Sequence, residues 1–120
     1  MKATELRIGN YVYDKYGRVQ EVLSIETECT IEDKAIRYVK YYNIVESIEY
    51  TNPLPLTEEW LLKFGFEHKG LFFVYGCYYL ERCGYSFNFT LEDSNYDFEI
   101  KHVHQLQNLY FALTGEELTI

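Results

Sequence analysis

The chain has 120 residues, of which 48% are hydrophobic and 25% charged, so it encodes one domain or two small lobes sharing a core. That composition excludes a disordered segment, and the length excludes a mini-protein that needs disulfides or metal to fold. Eleven Lys and Arg against nineteen Asp and Glu give a net charge of -8, which opposes the counterion release behind non-specific nucleic-acid binding.

The charge is uneven: residues 1–50 carry seven basic and nine acidic groups, residues 51–120 four and ten. Any basic patch therefore belongs to the first part. The aromatic share is high at 18%, with Tyr 13, Phe 8 and Trp 1, and such rings favour strands and half-wet surfaces. Charge enters the first seven residues before any apolar run forms, so no secretory signal is expected. The longest stretch without a strongly polar group, Leu71 to Leu80, is about half a membrane span, and no membrane association is expected. Three cysteines, an odd number without an export signal, read as reduced thiols, and the expected location is cytoplasmic.

In chain order, Asn10 to Asp14 reads as a strand with Tyr11 and Tyr13 on one face and Val12 on the other. Lys15-Tyr16-Gly17 is a tight turn into a longer strand, Arg18 to Glu28, whose apolar positions Val19, Val22, Leu23 and Ile25 slip once near Glu21 or Val22, as at a β-bulge. Glu28 to Lys34 is mostly polar. Ile36 to Tyr42 alternate, and Ile44, Glu46, Ile48 and Tyr50 share a face, so about four short strands are expected. Short strands with a bulge point to a bent, SH3-like small barrel over residues 1–50, or else to strands that extend one sheet shared with the rest of the chain.

Thr51-Asn52-Pro53-Leu54-Pro55 marks a boundary, because proline cannot donate to a central ladder. Thr57 is then placed as the N-cap of a short helix through Phe64. Glu58 and Glu59 lie at its positive end, Lys63 at its negative end, and Gly65 at the left-handed position beyond it. Leu61 is spaced to meet both Leu56 and Phe66. From Phe66 to Lys101 strands return, with Tyr85, Phe87, Phe89 and Leu91 alternating against polar residues. Turns are expected at Lys69-Gly70, Gly76, Cys83-Gly84 and Glu92 to Asn95, giving an antiparallel meander of three to five strands. Tyr96, Phe98 and Ile100 face one way. A last helix from His104 to Thr114 presents Leu106, Leu109, Tyr110 and Leu113 to the sheet and Gln105, Gln107 and Asn108 on its polar face, and Gly115 ends it.

Several chemistries are tested by spacing. A metal site from Cys77, Cys83, His102 and His104 fails on one continuous strand, where the cysteines would stand about 20 Å apart. No local signature pairs Cys29, Cys77 or Cys83 with His68, His102 or His104 as nucleophile and base, although a Cys/His-based hydrolase or transferase remains a third reading. The carboxylate pairs Glu58-Glu59, Glu92-Asp93 and Glu116-Glu117 are explained by the helix dipole, a turn and a tail. The seven glycines show no phosphate-cradling spacing. No catalytic residue, metal or cofactor is assigned. Lys15, Arg18, Lys34, Arg37 and Lys40 form a basic stripe only if their strands align, and acidic residues are interleaved with them. Tyrosine is enriched at protein interfaces, and Tyr41-Tyr42 and Tyr78-Tyr79 each send one ring to either face of a strand.

Three segments also carry a resemblance: Glu5 to Val12 (ELRIGNYV), Pro55 to Phe66 (PLTEEWLLKFGF) and Val103 to Leu118 (VHQLQNLYFALTGEEL). Together they resemble an uncharacterised family of small proteins from gut anaerobic bacteria, including their phages and mobile elements. The resemblance implies a bacterial cytoplasmic setting and a mobile-element origin; it brings no activity, ligand or catalytic residue.

The expected fold is α+β: a bent β lobe over 1–50, then over 51–120 a helix, an antiparallel meander and a covering C-terminal helix. The expected function is non-enzymatic, an intracellular accessory protein that contacts another protein or a second copy of itself through Tyr41, Tyr42, Tyr78 and Tyr79. The alternative is a small-barrel nucleic-acid contact through Lys15, Arg18, Arg37 and Lys40.

Overall fold

Tyr11, Val12 and Tyr13 form a three-residue strand whose pleat sends the tyrosines one way and the valine the other, and this divides the interior in two. A computed structural model of the chain describes residues 5–29, 35–91 and 97–120. It is α+β, and the strands pair antiparallel. Strand β1 (Tyr11–Tyr13) pairs with β2 (Val19–Glu21) across the turn that Gly17 makes at φ +75°. The expected slip occurs after β2. Val22 N–H donates to Asn10 O at 2.8 Å, whereas the next residue, Leu23, donates to Lys40 O at 2.9 Å, so the chain leaves one ladder and joins another. Val22 is buried and Leu23 exposed at this bend.

Strand β3 (Ser24–Cys29) pairs with β4 (Ala35–Lys40), and β4 with β5 (Val45–Ser47). The strand expected to continue to Tyr50 instead ends at Ser47 and tightens into a 3-10 turn, Ile48–Tyr50. Among the described residues β1–β2 and β3–β4–β5 are separate ladders, and no closed barrel forms. Lys34, the turn from Glu92 to Asn95, and Tyr96 lie outside the described residues.

The proline segment is tied down at alternate points, with Asn52 and Pro55 left exposed. Tyr13 and Asn52 exchange backbone hydrogen bonds at 3.0 Å, and Thr51 and Leu54 are fully buried. Farther on, Leu56 N–H donates to Lys101 O at 2.9 Å and Val103 N–H to Leu54 O at 2.8 Å. Helix α1 (Glu58–Lys63) follows with the expected ends: the Thr57 hydroxyl accepts from Trp60 N–H, and Gly65 takes φ +98°. Phe66 N–H reaches Leu61 O and Gly65 N–H reaches Leu62 O, the paired bonds of a left-handed helix stop. Leu61 is fully buried in one cluster with Leu56 and Phe66.

Five strands then run as a meander: β6 (Glu67–Lys69), β7 (Phe72–Tyr75), β8 (Tyr78–Cys83), β9 (Ser86–Leu91) and β10 (Asp97–Ile100), in the order β10-β9-β8-β7-β6. Phe73, Leu80 and Phe89 face each other in register and are buried, together with Phe87 and Ile100. Phe98, expected inward with Ile100, lies on the edge strand and stays 46% exposed.

Helix α2 (Val103–Thr114) covers this face, and Gly115 stops it at φ +74°. Leu106 and Tyr110 are buried as expected, but Leu113 is exposed, and the polar face is misplaced. Gln107 is fully buried: its Oε1 accepts from Tyr11 N–H at 2.9 Å, and its Nε2 donates to Gly9 O at 3.0 Å and Leu118 O at 3.1 Å. Asn108 reinforces it by accepting from Asn10 and donating to Glu5 O. One core cluster thus joins Tyr11 to both helices and the five-stranded sheet, while Leu6, Val12, Val22, Val39 and Tyr41 form the second.

Gln107→Glu keeps the acceptor for Tyr11 but turns a carboxylate towards two carbonyls. It is expected to destabilise the protein by about 2–4 kcal/mol in urea unfolding. Leu61→Ala is expected to cost about 2–5 kcal/mol in the same measurement.

Candidate functional site

The pleat decides which of the paired tyrosines reach the surface. Tyr41 is 1% exposed, and its hydroxyl lies 3.0 Å from Glu46 Oε1, to which it donates, and 2.8 Å from Thr51 Oγ1. Burial, with the Glu46 carboxylate beside it, pushes this phenol far above its ordinary range despite the Thr51 contact. Glu46 is buried as well and accepts from Lys15 N–H and the Thr51 hydroxyl, so Tyr41 belongs to a closed polar network. Tyr78 also turns inward, stacked on Phe89 at 5.6 Å and edge-on to Tyr110 at 5.7 Å. Tyr41 is closed to a partner, whereas Tyr78 is only partly buried. Tyr42 stands 89% exposed beyond β4, and Tyr79 is half-buried on the uncovered face of the other sheet, edge-on to Phe72 at 6.0 Å. The four tyrosines therefore do not make one surface.

The basic stripe does not assemble either. Arg37 and Lys40 are three apart on β4, so alternation sends them to opposite faces. Lys15 and Arg18 share only the Tyr16 ring, each lying 5.1 Å from its centre. Arg18 is bound to Asp14, whose buried carboxylate accepts from the Tyr16 and Arg18 N–H groups, Arg18 Nε and Gln20 Nε2. Burial alone would raise the Asp14 carboxyl, but these donors outweigh it and pull its pKa down to about 2.

Cys77 lies in the turn before β8 and Cys83 at its far end, both exposed. Cys83 Sγ accepts from Asn88 Nδ2 at 3.2 Å, and His68 stacks on Phe73 at 4.4 Å. The Cys29 side chain is outside the described residues. Among the described residues no three His, Cys, Asp or Glu side chains are grouped to hold a metal. His102 and His104 stack at 5.7 Å at the start of α2, and burial foremost, then His102, lower His104 to about 4.

The feature the sequence reading missed is at Tyr85. It was expected on a strand face with Phe87 and Phe89, but Cys83 pairs with Ser86, leaving Gly84 and Tyr85 as a two-residue loop with Gly84 at φ +63°. The ring is fully exposed. Beside it opens a cleft of about 420 Å³ walled by Pro55, Leu56 and Phe87 and rimmed by Glu58, Glu59 and Arg82. Arg82 Nη1 donates to Glu58 Oε1 at 2.9 Å across it. The signal was the Cys83-Gly84 turn itself, since a tight loop there needs the next residue. Comparison of the chain with protein-family models, curated proteins and solved structures finds no match.

Two acid windows follow from the shifted groups. His104, held at about 4 against an ordinary 6.5, contributes stability that is complete above about 6.5 and is lost as the pH falls towards 4. Asp14, held at about 2 against 3.8, contributes stability that is complete above 3.8 and is lost as the pH falls through about 2. Thermal unfolding scanned over pH is expected to decline in both windows, and His104→Gln is expected to shrink the upper decline, leaving the part due to His102, whose imidazole burial also lowers, and the lower window unchanged.

Proposed function

We propose that this protein is a non-enzymatic accessory factor of the bacterial cytoplasm that docks another protein at the cleft beside Tyr85. One observation carries the reading: Tyr85 is a large ring held wholly in water at the mouth of a cleft with apolar walls. It adds little to folding, and exposed aromatics beside apolar pockets are the usual anchors of protein interfaces. With Glu58 paired to Arg82, Glu59 leaves the rim one negative charge in excess, which favours a partner segment with an apolar anchor and a basic neighbour. Tyr42 and Tyr79 are secondary contact points, through which a second copy of the chain is the other candidate partner. The bacterial setting and mobile-element origin rest on the resemblance of the three segments. An open, SH3-like reading of residues 1–50 is supported by the bend at Val22 and the pairing of β3 with β4 and β5.

Tyr85→Ala is expected to leave stability within about 0.5 kcal/mol of wild type. Affinity capture from a host lysate, with and without nuclease, is expected to recover a protein partner that survives nuclease and is lost in Tyr85→Ala. Recovery that depends on nucleic acid would favour Lys15 and Arg18 instead. Recovery indifferent to Tyr85→Ala would remove the cleft from the mechanism. Alkylation of Cys77 or Cys83 well below the ordinary thiol range would turn the reading to a cysteine-based enzyme.

A further inference from the structure

An edge strand presents outward N–H and C=O groups that take up a further strand unless something blocks them. Among the described residues most edges of this protein are blocked. Strand β1 meets Asn52 and the Gln107 side chain. Strands β2, β5 and β6 are three residues long, and β6 consists of Glu67, His68 and Lys69. Strand β10 has four residues, and just past it Lys101 O accepts Leu56 N–H and His102 bridges to Pro55. Strand β3 is the exception: it has six residues, contains neither proline nor lysine, and has β4 alone beside it.

Two backbone bonds tell which groups of β3 face outward. Lys40 O accepts Leu23 N–H at 2.9 Å, so Lys40 faces β3, and Tyr41 N–H donates to Ile44 O at 2.8 Å, so the next residue faces the β5 side. Alternation turns Tyr38 and Ile36 to β3 as well, and the register partners Ser24, Glu26 and Glu28 spend their backbone groups on β4. Ile25 and Thr27, between them, direct N–H and C=O to the open side. Glu26, Thr27 and Glu28 are all exposed.

Charge selects the occupant. Glu26 and Glu28 lie two apart on one face of the strand, Ile25 and Thr27 on the other. Glu26 accepts the Ser24 hydroxyl at 3.4 Å, and among the described residues neither carboxylate is in an ion pair. Lys40 shares their face but stands opposite Ser24, on the side away from the open edge. Antiparallel pairing with a second copy about a two-fold axis normal to the sheet, centred on Glu26 or Thr27, sets glutamate against glutamate. A strand with lysine or arginine at alternate positions sets a positive charge beside each glutamate instead.

We propose that the open edge of β3 takes up an extended segment of another protein as an added strand, with basic side chains at alternate positions beside Glu26 and Glu28. This surface is separate from the Tyr85 cleft and stands whether or not that cleft docks a partner.

The test is NMR of the full, isotope-labelled chain titrated with three end-blocked peptides: Thr-Lys-Val-Lys-Val-Thr, its isomer Thr-Lys-Lys-Val-Val-Thr, and Thr-Glu-Val-Glu-Val-Thr. Saturable movement of the Ile25 and Thr27 amide signals, with slower solvent exchange of both, is expected for the alternating lysine peptide, with weaker binding of the isomer and none of the glutamate peptide. The double variant Glu26→Lys with Glu28→Lys, at exposed positions, is expected to weaken the lysine peptide at least about ten-fold and to admit the glutamate peptide. Thr27→Pro removes an outward donor while sparing the β4 ladder, and is expected to abolish binding with the rest of the spectrum unchanged. Equal binding of the two lysine peptides, binding unchanged by the charge reversal, or no movement of these amides up to about 5 mM peptide would each overturn the proposal. Movement of the same amides with protein concentration alone would overturn it in favour of a second copy.

Discussion

The carboxamide of Gln107 is the interaction on which the arrangement of this protein depends. A three-residue strand such as β1 has few ladder bonds of its own, and β2 supplies only one edge. On its other edge Tyr13 pairs with Asn52, and the Tyr11 end is met by a side chain from α2, which takes the Tyr11 N–H and returns a donor to Gly9 O. The second amide hydrogen holds Leu118 O, so one fully buried group fixes the start of the chain, the covering helix and the tail together. Buried amides carry a high cost when a partner is missing and little net cost when every partner is present, so this group fixes one relative placement of the three segments.

With β1 held there, its pleat sets the interior. Tyr11 enters the aromatic cluster of Trp60 and Phe64, with ring centres 5.5 and 6.2 Å away, while Val12 enters the smaller cluster of Val22, Val39 and Tyr41. The same strand is thus part of two cores, and the segment after it buries Thr51 and Leu54 on either side of the exposed Asn52. The smaller cluster is bordered by the buried carboxylates of Asp14 and Glu46, each satisfied by donors from nearby turns and strands. These polar networks explain why part of the tyrosine and acidic content lies inside a small protein.

The surface chemistry follows from what those interiors leave over. Alternation consumes Tyr41 and Tyr78 and divides Arg37 from Lys40, so neither an even tyrosine surface nor a basic stripe survives folding. Tight loops return two aromatics to water: Tyr16, within 5.1 Å of both the Lys15 and Arg18 charges, and Tyr85 beside an apolar cleft whose rim carries Glu58, Glu59 and Arg82. At the start of α2 the buried His104 imidazole keeps Nδ1 without a hydrogen-bond partner among the described residues. The cleft borders the proline segment, so the stretch that joins the two interiors also shapes this concave place on the surface.

The sequence by itself determined the local features whose causes are local. Thr57, Gly65 and Leu61 defined both ends of α1; Gly70, Gly76 and Gly84 placed the meander's turns; and the slip at Val22 marked the change of ladder. Each depends on a backbone preference or on a spacing within a few residues. Only the tertiary structure decided the rest. Gln107 and Asn108 read as a wet helix face because nothing local says that a strand ninety-odd residues earlier will need their hydrogen bonds. Tyr85 read as a strand residue because alternation does not count the two residues a hairpin loop removes. Whether Tyr41 or Tyr42 was buried depended on which side of the chain beyond β4 met the second core, a fact set by long-range packing, whereas the odd spacing of Arg37 and Lys40 on one strand already kept them apart.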